Sequence, residues 1–188
     1  MSNVQLARRG LLRTGLALAV GAATAGAAIP ALAAVDATGA RKLGFKHLHT
    51  GETLDVAYWE DGAYVPDALV EVNHVLRDWR TGQTHVIEPK LLDLLAALQA
   101  RLGRSERFDV ICCYRSPATN AMLHERSAEV ATHSLHMVGQ AIDIHLPGVE
   151  LASLRDAAMG LRLGGVGYYP ASDFVHVDIG RVRHWGGA

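Results

Sequence analysis

Two five-residue stretches alternate so strictly that each is predicted to be a strand with one apolar and one polar face. In Ala141-Ile142-Asp143-Ile144-His145, Ile142 and Ile144 fall on one side, and Ala141, Asp143 and His145 on the other, because strand side chains alternate with a period of two. Phe174-Val175-His176-Val177-Asp178 repeats the arrangement, with Val175 and Val177 opposed to Phe174, His176 and Asp178. Each strand therefore holds a carboxylate or an imidazole rigidly on its polar face. If the two strands are antiparallel neighbours, Asp143 and His176 come within reach of one metal ion. His136 precedes the first strand, on a loop that Gly139 allows to bend back. Two imidazoles and a carboxylate, with a fourth position left for water, form the usual ligand set of a catalytic zinc.

The other elements follow from local signals. Leu43 to His49 and Thr53 to Trp59, joined by Thr50-Gly51-Glu52, read as an N-terminal β-hairpin. Asp61-Gly62 makes a further turn, and Pro66-Asp67 opens a helix with Leu69, Val72 and Leu76 at helical spacing. Glu88-Pro89 starts a second helix, striped by Leu91, Leu94, Leu95, Leu98 and Leu102 and ended by Gly103. Phe108 to Tyr114 reads as a strand, Ser116-Pro117 as the cap and first turn of a helix through Arg126, and Leu151 to Leu161 as a last helix. Gly164 to Pro170 forms a glycine-rich strand and turn. Short strands interspersed with helices predict an α+β domain with a mainly antiparallel central sheet flanked by helices.

The first 33 residues differ from the rest. They hold Arg8, Arg9 and Arg13, no acidic residue, and an Ala/Gly/Thr-rich apolar run ending in the A-x-A site Ala31-Leu32-Ala33. This is the pattern of an export signal, and the paired arginines with weak hydrophobicity favour the twin-arginine route into the periplasm. The run is too short and too glycine-rich for a comfortable span, so no membrane span is expected after cleavage. Expected organisation is thus a signal over 1–33, a polar lead-in over 34–42 and one domain over 43–188. Without the signal, 15 Lys and Arg face 19 Asp and Glu, a net charge of −4. With no basic block, nucleic acid is excluded as a partner class.

Cys112 and Cys113 are adjacent and are the only cysteines. Strand alternation points one inward and one outward, which favours two separate thiols over a strained vicinal disulfide. With no further Cys-rich spacing, a cysteine-ligated metal is disfavoured.

Ser134-x-His136-x-x-Gly139-x-Ala141-x-Asp143, with the later His176, resembles the zinc D-Ala-D-Ala metallopeptidases and their lysostaphin- and hedgehog-type relatives. Cys113 to Asn120, and Gly164 to Pro170 followed by Phe174 to Asp178, are similar to the exported murein endopeptidase branch of that group. The likeness extends over nearly all of 43–185. It implies Zn2+ held by His136, Asp143 and His176, with peptidoglycan peptides as substrate. It also implies Arg115 as the group that binds a substrate carbonyl or its oxyanion, where a fixed guanidinium stabilises developing charge. The general base stays open among Asp173, Asp178 and His145. Asp173 stands three positions before His176, as an acidic residue does in the broader group, but serves only if it lies in a turn outside the ladder. Asp178 has the right parity to be a base or to orient His176. The rival from another class is a zinc-containing module that binds cell-wall peptide without cutting it.

Overall fold

The computed structural model describes residues 39–127 and 130–186. The expected export signal over 1–33 lies outside them. Eight strands form one sheet: β1 (Arg41–His47), β2 (Thr53–Glu60), β3 (Ala63–Tyr64), β4 (Phe108–Cys112), β5 (Ala141–His145), β6 (Gly165–Tyr169), β7 (Phe174–Asp178) and β8 (Arg183–Gly186). Their spatial order is β3-β2-β1-β4-β5-β7-β6-β8. Only β1 with β4 and β6 with β8 run parallel; the other five pairs are antiparallel. The α+β fold with a mainly antiparallel sheet is the one the sequence predicts.

Helices α1 (Pro66–Val75), α2 (Pro89–Leu102), α3 (Pro117–Arg126) and α4 (Leu151–Leu161) fill the intervals. The leucine stripe of α2 is the centre of the core. Leu91, Leu95 and Leu98 are fully buried with Phe45, Tyr58, Phe108, Ile142 and Ile144, and each such side chain contributes about 1.5–3 kcal/mol. Gly103, in the left-handed conformation at φ 62°, ends the helix as C-terminal glycines do. Ser116 caps α3 by accepting a hydrogen bond from the Thr119 N–H at 3.2 Å. Strand β1 begins at Arg41, two residues inside the stretch expected as lead-in. Strands β3 and β8 were not anticipated; each is short, and β8 carries charged and aromatic residues with little strand signal.

The apolar face of the sheet packs on α2 and α4, through Val110 on β4, Ile142 and Ile144 on β5, and Val175 and Val177 on β7. Its opposite face carries the polar alternates. Across the sheet, Cys112 pairs with Asp143, Asp143 with His176, His176 with Gly167, and Gly167 with Trp185. Directly opposed residues share a face, so this row runs across five strands.

Candidate metal centre

Asp143 and His176 are direct cross-strand partners, so the backbone ladder sets their approach. His136 arrives from a short 3-10 turn, Leu135–Val138. Ser134 precedes the turn and accepts from the His136 N–H at 3.4 Å. Gly139 ends it at φ 66°, where a Cβ would lie 2.1 Å from the Val86 carbonyl oxygen. Glycine is therefore required there both by conformation and by space. The Arg115 N–H donates to the His136 carbonyl at 3.2 Å, tying the turn to the end of β4.

Three donor atoms converge. Asp143 Oδ1 is 2.8 Å from His176 Nδ1 and 3.3 Å from His136 Nε2, and the two ring nitrogens are 3.1 Å apart. The outer nitrogens define what the inner ones carry. His136 Nδ1 lies 2.7 Å from the Cys113 carbonyl oxygen, which can only accept, so this nitrogen bears the proton. His176 Nε2 lies 3.1 Å from Asp178 Oδ2 and donates to that carboxylate. Both inner nitrogens thus turn lone pairs toward a carboxylate oxygen, an arrangement that needs a cation or a shared proton. Zinc bonds of about 2.0–2.1 Å in tetrahedral geometry place ligand atoms about 3.3 Å apart, so the donor set fits a zinc ion.

All three side chains are buried. Burial alone would depress the basicity of His136, but the Asp143 carboxylate outweighs it and raises the imidazole to about 10. Burial likewise opposes ionisation of Asp143, yet the positive charge that His136 gains beside it holds the carboxyl far below the usual carboxylate range. A bound cation takes the place of that proton.

Asp178 is wholly buried behind His176. Besides His176 it accepts from Arg183 at 2.7 and 3.0 Å, the Gly165 N–H at 3.1 Å and the Gly180 N–H at 2.8 Å. Against the cost of burial, these donors hold its carboxyl well below the usual range. Its oxygens are committed, which suits it to orienting His176 rather than to taking a proton. His145 faces Asp109, with 3.8 Å between Nδ1 and Oδ2, and does not line the central cavity. Asp173 lies in the turn before β7, in the left-handed region at φ 53°. The sequence argument required that placement. Asp173 is exposed, its carboxylate makes no hydrogen bond or ion pair among the described residues, and its neighbours Ser172 and Phe174 line the cavity.

The cavity, of about 400 Å³, opens over the three donors. Arg115 lines it, with Nη2 3.7 Å from Asp143 Oδ2 and Nη1 3.4 Å from Asn120 Oδ1; its Nε is buried without a hydrogen-bond partner among the described residues. Opposite stands an aromatic wall. Tyr169 stacks on Phe174 at 4.6 Å, Trp185 Nε1 donates to the Tyr169 hydroxyl at 2.8 Å, and the Trp185 ring is 5.2 Å from that of His176. The sequence reading missed this wall and Arg183, since both depend on β8. It also missed Cys112, whose sulfur, with donor atoms of His136 and Asp143, forms a group all within 4.8 Å of one another. The set of His136, Asp143 and His176 is tighter, with donor atoms 2.8–3.3 Å apart, and its outer nitrogens are already held. Both cysteines are buried and free: Cys113 joins the apolar core, and Cys112 faces the site.

Known proteins match this chain over most of its length. A family model described as peptidoglycan L,D-endopeptidase MepK matches residues 35–185. The peptidoglycan L,D-endopeptidase MepK of Escherichia coli strain K12 is 43% identical over 171 residues, covering 89% of this chain and 94% of the relative. That of Shigella flexneri matches to the same extent. A probable peptidoglycan L,D-endopeptidase MepK of Haemophilus influenzae is 42% identical over 157 residues, covering 83% and 84%. Residues 35–185 take in every donor of the centre and the fold up to the last residue of β8, and on that match the chain belongs to the peptidoglycan L,D-endopeptidase MepK family, within the zinc D-Ala-D-Ala metallopeptidase group.

Proposed function

We propose that this chain is a zinc-dependent endopeptidase that hydrolyses L,D peptide bonds of peptidoglycan in the periplasm. One observation carries the reading: His136, Asp143 and His176 direct three donor atoms to one point, 2.8–3.3 Å apart, on the floor of a cavity. These three residues hold the metal. Zinc, when bound, acidifies a water and polarises a carbonyl. Arg115 supports the substrate carbonyl and then the oxyanion from the side of Asp143, a contribution of about 10²–10³ in rate where such donors have been removed. Asp178 keeps the His176 ring in the tautomer and orientation that binding requires. Asp173 takes the water's proton. It is the acidic candidate whose oxygens are uncommitted, and it stands in the turn between Ser172 and Phe174, which line the cavity. The aromatic wall of Tyr169, Phe174 and Trp185 excludes solvent from the opposite flank.

Residues 43–188 form the peptidase domain, and 1–33 are the export signal that brings it to its substrate by the twin-arginine route. No helix among the described residues is long and apolar enough to cross a membrane. The test is digestion of murein fragments of known cross-linking by zinc-loaded protein, followed by mass spectrometry. Cleavage at L,D cross-links is expected, with loss of turnover on chelation and recovery with zinc. His136→Ala and His176→Ala are expected to leave only the uncatalysed rate. Folded, metal-replete protein that binds murein and releases nothing would overturn the proposal in favour of a binding module.

A further inference from the structure

The proposed centre takes two of its three donors from a cross-strand row, and that row holds one donor more, Cys112. Cys112 stands directly across from Asp143, as His176 does on the other side. The row Cys112–Asp143–His176 therefore presents sulfur, oxygen and nitrogen on one face of three adjacent strands. A register shift in β4 between Val110 and Cys112 sets Cys112 opposite Asp143, and such irregularities re-aim side chains next to functional sites. The thiol is free and buried, and its sulfur belongs to a group with donor atoms of His136 and Asp143 all within 4.8 Å. Arg115 Nη2 lies 3.7 Å from Cys112 Sγ and 3.7 Å from Asp143 Oδ2. One guanidinium thus borders both groups that would carry negative charge at a metal.

We infer that Cys112 is a fourth protein donor to this metal, entering from the sheet floor and completing a His2AspCys set in the resting enzyme. The inference rests on the reading of His136, Asp143 and His176 as ligands. A sulfur bond of about 2.3 Å beside nitrogen and oxygen bonds of about 2.0–2.1 Å sets sulfur about 3.6 Å from the other donors. Cys112 Sγ lies within 4.8 Å of the His136 and Asp143 donors, so it reaches that separation from these two by a movement of about 1.2 Å at most. As the sulfur–metal bond forms, the thiol proton passes to solvent and no oxidation state changes. Four protein donors fill a tetrahedral ion in the manner of closed sites, so incoming water or substrate must displace the thiolate, which then regains a proton. A soft donor also biases the site toward zinc and away from magnesium or calcium.

X-ray absorption at the zinc edge of the intact, zinc-loaded wild-type chain tests this without any substitution. A sulfur scatterer at about 2.3 Å is expected; a shell of nitrogen and oxygen alone, at full metal occupancy, overturns it. With cobalt(II) in place of zinc, a near-ultraviolet sulfur-to-metal band is expected in wild type and in Cys113→Ala, and is lost in Cys112→Ser. Chelator competition is expected to show Cys112→Ser releasing the ion at least about tenfold more readily. If Cys112→Ser binds and absorbs as wild type while His136→Ala binds no metal, this inference fails and the three-ligand reading stands. If wild type takes up no stoichiometric metal, both fail together.

Discussion

His47, at the end of β1, and His136, in the turn before β5, are equally hidden imidazoles, with exposures of 0% and 2%, and they behave oppositely. His47 closes β1 beside the hairpin turn. Its Nδ1 accepts from the His49 N–H at 3.2 Å, and its Nε2 has no partner among the described residues. Burial, helped by the neighbouring His49 and Arg77, lowers it to about 4. His136 is buried as deeply, yet Asp143 raises it to about 10. Burial by itself keeps an imidazole neutral and inert; burial next to an ionised carboxylate makes it a seat for positive charge. The second condition, not depth, separates a metal centre from a core histidine.

The largest test of that distinction makes His176 resemble His47. Asp178→Asn removes the anion behind the ring while keeping its shape, and metal affinity is expected to fall about 10–100-fold. Chelator competition measures it, and unchanged affinity would mean that Asp178 serves only to hold β8. A smaller disturbance acts on the other imidazole without touching a donor. Gly139→Ala forces a Cβ against the Val86 carbonyl in a left-handed turn, at a cost of about 1–3 kcal/mol. Urea unfolding should show that loss, together with weaker metal retention, because the 3-10 turn carries His136. The smallest effect belongs to His47. Its folded value of about 4 lies below the ordinary 6.5, so the unfolded chain takes up the proton first and stability falls as pH drops from about 6.5 toward 4. Between about pH 7 and 5.5 the loss is about 1 kcal/mol. Denaturation midpoints at those two values should converge in His47→Gln, which has no proton to gain.

Period-two alternation was enough to read β5 and β7 in the sequence, and with them the pairing of Asp143 and His176. The glycine at 139 announced the turn that carries His136. Leucine spacing and Gly103 located α2 for equally local reasons. What stayed hidden depends on contacts between distant segments. Nothing local marks Arg183-His184-Trp185 as a strand, so the aromatic wall and the clamp on Asp178 were not legible. The carbonyl of Cys113 holds His136 through its backbone, and backbone partners leave no trace in residue identity. Alternation correctly set Cys112 and Cys113 on opposite faces, but it could not say that the outward thiol faces the metal row, because that follows from a register shift in β4. Three acidic or basic candidates for the general base looked alike in sequence. Committed hydrogen bonds to Asp178 and the Asp109 contact of His145 now distinguish them.

Strand β8 is the border of the sheet, bonded to β6 alone, and Arg183 on that border reaches Asp178. Edges fray more readily than interiors. Each time this margin lifts, the carboxylate behind His176 loses its brace and the ring its aim. On the proposed reading, how long the protein keeps its ion is governed partly by a seam that supplies no ligand of its own.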